Sequence, residues 1–510
     1  MSTLALQLMI ITVISKFSGL IREVVFSAVY GTNMAKDIYV MGESITAIAF
    51  SFLFMSLQSS FIPIYNNVLH KGGRKKADLF TSNMTNFILV IATVVIAFCF
   101  IFMDPIVHLV APGFEGETFR GAVMYTRIIL FTIYFKALSA CTIGYLNIYD
   151  NFSVPATSGI LMNVGLIISA VIAAKTQSLL VLAAGYTITQ GAKFIFFPGA
   201  LRKAGYHYRP YMNAHDPFLR EALKIAIPLM FSILVNDISV IIDKSLASMI
   251  ADEGGIAAMD YASKLFDFAC GIVIVSIVTA TYPRMSRFGQ RKEMKSLKRL
   301  TSSSIVSGLA LVVPATVLLM QFAGPIVRLF YQRGRFTAQS TLITSGALFW
   351  YAPGLIAMMF SQMNERLFYS ISDSKTPLLV GVAQVAVDVI FNFILSAFFG
   401  LNGLAASTAL GNIVGAILIT YLAHRKIGKL GYRSILISFG KLFLLSGLMS
   451  LTAAGLYRIL AFLPQSLRLI LTVVLALLLY LFLVALAKIP EIRRFINQLY
   501  HSHRKKHARN

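Results

Sequence analysis

A group of charged side chains lies inside an apolar segment near the start of the chain. The stretch ISKFSGLIREVV, residues 14–25, carries Lys16, Arg22 and Glu23 within a run that otherwise has the composition of a membrane helix. A charge that faces lipid at the centre of such a helix costs about 2.5–3.5 kcal/mol on the insertion scale. These residues are therefore predicted to line a polar, hydrated cavity.

The spacing of these residues places them on two adjacent faces of the helix. Ser15 and Arg22 are seven residues apart and share one face, while Lys16 and Glu23 share the neighbouring face. Gly19 lies between them, at a position where a bend is expected. The alternative to a cavity lining is a structural salt bridge between Lys16 and Glu23.

Further ionisable residues lie within later apolar segments. Asp37 is near the outer end of the second predicted helix, and Lys264 lies in the eighth. If the helices form two lobes around a cavity, Lys16, Arg22 and Lys264 are expected to reach it. A basic pocket within a membrane suits an anion that enters with a lipid, because guanidinium groups bind phosphate oxygens in a bidentate fashion.

Two acidic residues suit a different role. Asp237 follows Asn236, and Asp388 lies one helical turn after Gln384. Each pair offers oxygen ligands for Na⁺ or a carboxylate that binds a proton. The alternative is that these groups only form hydrogen bonds between helices.

The composition is that of a polytopic membrane protein. The chain has 510 residues, of which 57% are hydrophobic and 13% charged, whereas about 25% of the residues of a soluble protein are charged. Apolar runs long enough to cross a bilayer as helices recur throughout. The three cysteines are scattered and predict neither a disulfide framework nor a metal site. The first apolar run lacks signal-peptide features and is expected to be retained.

The net charge of +24 is explained by loop charges rather than by nucleic-acid binding. Alternate loops are basic, from HKGGRKK to the tail, residues 491–510, which is expected to contact anionic headgroups or to be solvated. Both termini are therefore predicted to be cytoplasmic. Apolar runs and turn residues predict an all-α bundle of fourteen transmembrane helices, near residues 4–30, 37–68, 77–111, 119–148, 155–174, 178–201, 218–250, 255–287, 297–331, 338–371, 377–399, 402–424, 434–460 and 466–488.

Proline-centred motifs recur at a nearly constant offset. Pro63 and Pro105 match Pro283 and Pro325 at 220 residues, and Pro155 matches Pro377 at 222. An even number of helices per half makes the repeat parallel. The predicted organisation is an N-terminal lobe, a cytoplasmic linker, a C-terminal lobe, an additional helix pair and a basic tail, at residues 1–201, 202–217, 218–427, 428–490 and 491–510.

An ordered set of motifs resembles the MurJ/MviN family of lipid II flippases, within the superfamily of multidrug, oligosaccharidyl-lipid and polysaccharide exporters. The opening SKFSGLIREVVFSAVYGTNMAKDIY is similar to that of the family, as are FIPIY, DYASKLFDF, FYQRGRFTAQST and FYSISDSKTP. The resemblance covers residues 5–425. It implies a non-enzymatic transporter of the bacterial cytoplasmic membrane that moves undecaprenyl-pyrophosphate-linked disaccharide-pentapeptide to the outer leaflet by alternating access.

The resemblance also implies site residues. The cavity arginines of the family fall on Lys16, Arg22 and Lys264, its helix 2 aspartate falls on Asp37, and its last two helices form a groove for the lipid tail. Two of the matched cations are lysines, and the helix 2 arginine is absent from TAIAFSFLF. A family serine on helix 8 is replaced by Ala257.

Three alternatives are consistent with parts of this pattern. A flippase for another polyprenyl-linked glycan explains the departures from the family, and a cation-coupled exporter explains the acidic residues but not the cavity cations. A membrane enzyme acting on lipid-linked sugars is disfavoured, because the sequence has no Gly-rich phosphate loop and no metal-spaced His/Cys cluster. No cofactor is predicted, and Na⁺ is the candidate coupling ion.

Overall fold

The computed structural model describes residues 3–149, 151–251, 253–487 and 490, and these residues form eighteen α-helices and no β-strand. The side chain of Asn236 and the basic tail, residues 491–510, lie outside the described part. The helices are α1 (Thr3–Tyr30), α2 (Met34–Ile101), α3 (Met103–Val110), α4 (Gly116–Ile129), α5 (Thr132–Ile148), α6 (Ser153–Thr176), α7 (Leu179–Ala192), α8 (Phe197–Lys203), α9 (Pro217–Ile250), α10 (Gly255–Gln290), α11 (Met294–Gln321), α12 (Ala323–Tyr331), α13 (Ala338–Tyr351), α14 (Gly354–Ser370), α15 (Lys375–Phe399), α16 (Leu401–Ile427), α17 (Tyr432–Ile459) and α18 (Gln465–Leu486).

Ten of these helical segments are long and apolar enough to cross a membrane, or eleven if the bent pair α13 and α14 counts as one. The chain is therefore an all-helical polytopic membrane protein. Its helices begin at recognisable signals. Asp216 accepts hydrogen bonds from Phe218 N and Leu219 N, and Pro217 occupies the first turn of α9, where its missing N–H is not needed.

Several helices that the sequence predicted as continuous are interrupted. The predicted helices 77–111 and 297–331 break at Phe102 and Phe322, and 338–371 bends by 42° between α13 and α14. The predicted helix 119–148 corresponds to the single span Gly116–Ile148. Proline explains two breaks, because Pro105 in α3 and Pro353 before α14 cannot donate to a preceding turn.

The predicted helices 37–68 and 77–111 correspond to two helical parts of α2 that a kink separates. They are both part of α2, which leaves helical geometry at Gly73, where φ is 71°. A residue with a side chain would be strained in that left-handed conformation, so glycine is suited to this break.

The predicted linker, residues 202–217, is tied to the second half of α2. Asn83 accepts a hydrogen bond from Asn213 N at 2.7 Å and donates to Asn213 O at 3.0 Å. Asn86 donates to Tyr211 O at 3.0 Å. Two asparagine side chains thus provide hydrogen-bond partners for backbone groups of a segment that has no regular secondary structure.

The described residues divide into two compact units. The first unit comprises the chain up to Ala257 together with Arg333–Thr337, and the second comprises Ala258–Gln332 and the chain from Ala338 onward. These units follow spatial contacts, whereas the predicted lobes follow the sequence repeat. The lobe boundaries at residues 201 and 218 stay a prediction.

Candidate functional site

The first unit holds a buried group of three charged side chains, which we call the α1–α2 charge cluster: Arg22, Glu23 and Lys36. Arg22 Nη2 lies 2.6 Å from Glu23 Oε1, and Lys36 Nζ lies 3.1 Å from Glu23 Oε2. Lys36 is 1% exposed and Glu23 is 3% exposed. Because a buried charge is tolerated only when it is paired, Glu23 is the residue that holds both cations in place.

Aromatic rings complete the surroundings of Lys36. Its Nζ lies 5.0 Å from the ring centres of both Phe26 and Tyr39. These contacts add cation–π attraction to the ion pair in a site that excludes water. Lys36 thus contacts Glu23 and two aromatic rings, and its role in this cluster is structural.

Arg22 is held from a third helix as well. Its Nη1 donates to Asn163 Oδ1 of α6 at 3.2 Å, and Asn163 Nδ2 donates to Ser18 Oγ at 2.8 Å. Its Nε and Nη2 both donate to Glu23 Oε1. In the part of the chain that the structure describes, Glu23 and Asn163 accept from three of the five guanidinium N–H groups.

Small residues allow α1 and α6 to approach closely enough for this arrangement. A Cβ atom at Gly159 would lie 2.9 Å from Ser15 Oγ, and one at Gly19 would lie 3.7 Å from Asn163 Nδ2. Close packing through small residues is how membrane helices associate without a hydrophobic driving force. α1 is helical through Gly19, and the bend at that position stays a prediction.

Asp37 binds backbone groups at the start of α10. Its carboxylate accepts hydrogen bonds from Gly254 N at 2.6 Å and Ala257 N at 2.7 Å. Glu253 Oε1 accepts a hydrogen bond from Met34 N at 2.9 Å. A carboxylate at a helix N-terminus satisfies free N–H groups and complements the helix dipole.

A second contact lies at the other end of the α1–α2 turn. Arg335 N donates to Ala28 O at 2.9 Å. A Cβ atom at Gly31, where φ is 62°, would lie 2.3 Å from Arg335 O. We call these two sets of contacts, those of Asp37 with residues 254–257 and those of Ala28 and Gly31 with Arg335, the turn clamp.

The remaining predicted cations are more exposed. Lys16 lies on the exposed side of α1. In the second unit, Lys264 Nζ lies 3.7 Å from Asp260 Oδ1, one turn earlier in α10, and the Lys264 side chain is 37% exposed. Lys264 therefore has an ion-pair partner on its own helix and is partly exposed.

The residues predicted to bind an ion lie in different hydrogen-bond networks. In the first unit, Ser51 Oγ donates to Asp237 Oδ2. In the second unit, Gln384 Nε2 donates to Asn412 Oδ1 at 3.0 Å, and buried Asp388 packs against Gly411. Among the described residues, no group of three or more His, Cys, Asp or Glu side chains is arranged to hold a metal ion.

The second unit also contains an apolar cavity of about 600 Å³. α14 and α16 form most of its lining, including Phe360 and Ile417, and Tyr432 of α17 contributes one side. Thr420 and His424 are polar groups at its wall.

Sequence reasoning missed two residues that organise the site. Lys36 lies between the first two predicted helices, 4–30 and 37–68, and Asn163 is one amide in an apolar run. The signal for Asn163 was its isolation, because a lone amide in a membrane helix needs a partner. No sequence signal linked Lys36 to Glu23 across the intervening turn.

Comparisons with known proteins agree on one family. A family model described as lipid II flippase MurJ matches residues 26–475. The probable lipid II flippase MurJ of Rickettsia prowazekii is 28% identical over 411 residues, covering 78% of this chain and 79% of the relative. The lipid II flippase MurJ of Burkholderia cenocepacia is 26% identical over 434 residues, covering 82% of each chain.

Solved structures share the fold. A structure of lipid II flippase MurJ in an inward closed conformation has a TM-score of 0.81 at 23% identity, covering 94% of this chain and 98% of that one. An inward-facing multidrug resistance MATE family transporter of the MOP superfamily has a TM-score of 0.71 at 16% identity, covering 83% of this chain and 99% of that one.

Proposed function

The chain belongs to the lipid II flippase MurJ family, and on that basis we propose that it carries lipid II from the inner to the outer leaflet of the bacterial cytoplasmic membrane. Lipid II is the undecaprenyl-pyrophosphate-linked disaccharide-pentapeptide from which peptidoglycan is built. The protein is a transporter and breaks no covalent bond in this process.

The α1–α2 charge cluster is the observation that carries the proposal. It contains two cations and one anion, so it has a net positive charge within an apolar bundle. Arg22 keeps two N–H donors that neither Glu23 nor Asn163 uses. A guanidinium that its neighbours hold in place binds phosphate oxygens with little loss of side-chain entropy.

The other predicted site residues then take distinct roles. Lys16 and Lys264 are proposed to contact the pyrophosphate as exposed point charges, which attract an anion without the directional fork of arginine. Ser15 is proposed to keep α1 against α6, and Glu23 to orient Arg22. Asp37 is proposed to act through the turn clamp rather than by touching the substrate.

Alternating access gives the turn clamp a function. The loop charges predict that the α1–α2 turn, the start of α10 and residues 333–337 face the outside. A pathway that opens outward must release contacts at that end of the helices, and hydrogen bonds to a carboxylate are strong enough to hold one state and still break. The turn clamp is therefore proposed as an outer gate.

The proposal also covers the finer architecture. Fourteen crossings would comprise α1, the first part of α2 and α9 together with the eleven candidate spans. The loop charges predict that both termini are cytoplasmic. The paired breaks at Phe102 and Phe322 support two parallel six-helix repeats followed by the pair α17 and α18. The apolar cavity beside Tyr432 is proposed to hold part of the lipid tail.

Coupling to an ion is proposed at the acidic residues. Asp388 is buried in the second unit, and Asp237 in the first lies beside Ser51. Asp237 with Asn236, and Asp388 with Gln384, are each proposed to bind Na⁺ or a proton. Asp388→Asn should lower the Na⁺ or pH dependence of transport, and unchanged dependence in both Asp388→Asn and Asp237→Asn would rule the assignment out.

The direct test is transport of fluorescent lipid II in liposomes that contain the purified protein. Arg22→Ala is expected to abolish transport without unfolding the protein, because Glu23 keeps Lys36 as its partner. Arg425→Ala, which removes an exposed arginine at the end of α16, is the matched control. Normal transport by Arg22→Ala would remove the pyrophosphate site. An active reconstitution that moves another polyprenyl-linked glycan but not lipid II would change the substrate.

A further inference from the structure

The first unit contains a second group of cations, remote in sequence from the α1–α2 charge cluster. A cavity of about 410 Å³ lies between α3 and α4. Its lining includes Asp104, Arg120 and Arg127 together with the aromatic side chains of Phe100 and Phe131. No part of the proposed transport mechanism uses these charges.

An ion pair across the two helices fixes one of the arginines. Arg127 Nη2 lies 2.6 Å from Asp104 Oδ2, and its guanidinium carbon lies 5.4 Å from the centre of the Phe100 ring. Arg127 Nε is buried and has no hydrogen-bond partner among the described residues. With Arg120 the cavity lining has two positive charges and one negative charge, so one positive charge is not balanced there.

The cavity lies on an apolar exterior. Phe100, Met124 and Phe131 around it are large hydrophobic residues that the unit leaves exposed, and α4 belongs to a candidate membrane span. Side chains of this kind face acyl chains in a bilayer. Charged groups on such a surface are costly unless water, a counter-charge or a lipid headgroup reaches them.

The second unit provides an internal comparison. It has a cavity of about 650 Å³ at the matching place, beside α12 and α13. At the offset of Pro155 and Pro377, Arg120 corresponds to Leu342 and Arg127 to Phe349, and both of these line the second cavity.

The matching position of Asp104 is neutral as well. At the offset of Pro105 and Pro325, Asp104 corresponds to Gly324. The helix arrangement therefore forms this cavity with or without charges, and the charges of the first unit are not a requirement of the fold.

We propose that the cavity between α3 and α4 binds the headgroup of an anionic phospholipid. Arg120 and Arg127 hydrogen-bond the phosphate oxygens, and Asp104 orients Arg127 as Glu23 orients Arg22. The acyl chains lie along Phe100 and Phe131. One excess positive charge matches one phosphodiester, and the site lies where the predicted topology puts the outer leaflet. This site is separate from the transport path and goes beyond the proposed function.

Native mass spectrometry of the purified protein tests the proposal, with phosphatidylglycerol and phosphatidylcholine added at equal concentrations. The wild type is expected to retain phosphatidylglycerol preferentially. The double variant Arg120→Leu/Arg127→Phe, which carries the residues of the second cavity, should lose about tenfold in apparent affinity, the size expected when charge-assisted hydrogen bonds to a phosphate are removed. Arg425→Gln is the matched control and should bind as the wild type does.

A single variant keeps the test independent of folding. Arg120→Gln leaves the Asp104–Arg127 pair intact and should weaken phosphatidylglycerol binding without lowering the unfolding temperature. Retention of phosphatidylglycerol at the wild-type level by both Arg120→Gln and the double variant, or equal binding of the two lipids by the wild type, would overturn the proposal. Displacement of the lipid by inorganic phosphate, or by lipid II at lower concentration, would assign the cavity to free phosphate or to the transported substrate instead.

Discussion

The two units hold their charged residues in different ways. In the first unit, Glu23 pairs with Arg22 and with Lys36 from the next helix, and these side chains are almost fully buried. In the second unit, Lys264 pairs with Asp260 of its own helix at 3.7 Å and stays more than one-third exposed. Lys36 thus has its ion-pair partner on another helix, whereas Lys264 has one a single turn away on its own helix, where an exposed pair contributes little to stability.

The buried polar groups of the second unit extend this contrast. Gln384 donates to Asn412 at 3.0 Å, and Ser407 donates to Asn392, so these contacts join neutral side chains. The first unit therefore contains a buried ion-pair cluster, whereas these contacts of the second unit are hydrogen bonds between neutral side chains. A similar arrangement of helices therefore does not determine which side-chain contacts form within each unit.

The largest expected effect is the loss of the carboxylate at the centre of the α1–α2 charge cluster. Glu23→Ala removes the ion-pair partner of two buried cations and should destabilise the protein by about 3–5 kcal/mol. Thermal unfolding in detergent measures this, with Glu293→Ala, which alters an exposed pair, as the control. Adding Lys36→Met to Glu23→Ala should restore part of the loss, and a stable Glu23→Ala variant would contradict the contrast between the units.

The turn clamp should give the next largest effect. Asp37→Asn keeps the size of the side chain but removes the charge that strengthens two backbone hydrogen bonds, each worth about 1.5–3 kcal/mol when the acceptor is charged. Hydrogen exchange at the amides of Gly254 and Ala257 should accelerate, and lipid II transport should fall. Glu221→Gln, at an exposed acid of α9, is the control. Unchanged exchange at both amides would show that the clamp does not depend on charge.

Lys264 should have a small effect on stability and a distinct effect on transport. Lys264→Gln breaks an ion pair within one helix in which the lysine side chain is 37% exposed. The expected loss of folding free energy is therefore no more than about 0.5 kcal/mol. Transport of lipid II should weaken through its apparent affinity rather than through protein abundance. A destabilisation as large as that of Glu23→Ala would erase the difference between the two units.

The smallest predicted effect lies at an exposed turn of the second unit. Partial burial alone would raise the pKa of the Asp373 carboxyl, but hydrogen bonds from Lys426 Nζ at 2.9 Å and from Thr376 outweigh it and lower the pKa to about 2. The folded state therefore gains stability above the usual value of 3.8, and this gain disappears as the pH falls toward 2.

The comparison of wild type with Asp373→Asn isolates that contribution. The unfolding temperature of the wild type should exceed that of the variant at pH 5, and the difference should shrink between pH 4 and pH 2. A difference that does not change over this interval would exclude Asp373 as the titrating group.

Much of the fold followed from the sequence. The all-helical membrane class was confirmed, because long apolar runs have one stable solution in a bilayer. The interruptions within the predicted helices were not predicted from the sequence. Pro105 and Pro353 lie at the breaks before α3 and α14, but the predicted helices ran through both of them.

The site was predicted in its residue types rather than in its contacts. Lys16, Arg22 and Glu23 were predicted to line a hydrated cavity, and a bridge between Lys16 and Glu23 was the alternative. The partners of Glu23 are instead Arg22 and Lys36. Helical periodicity describes one helix at a time, so it could not predict a partner that a second helix supplies.

The sequence by itself determined that charges lie within the bundle, since composition and the cost of burying an ion are properties of the residues. Only the tertiary structure decided which charges meet. Gly159 brings α6 against α1, and Asn163 then reaches Arg22. The turn after α1 brings Lys36 to Glu23. Ion pairs need atoms within about 4 Å, and that distance depends on how helix faces pack.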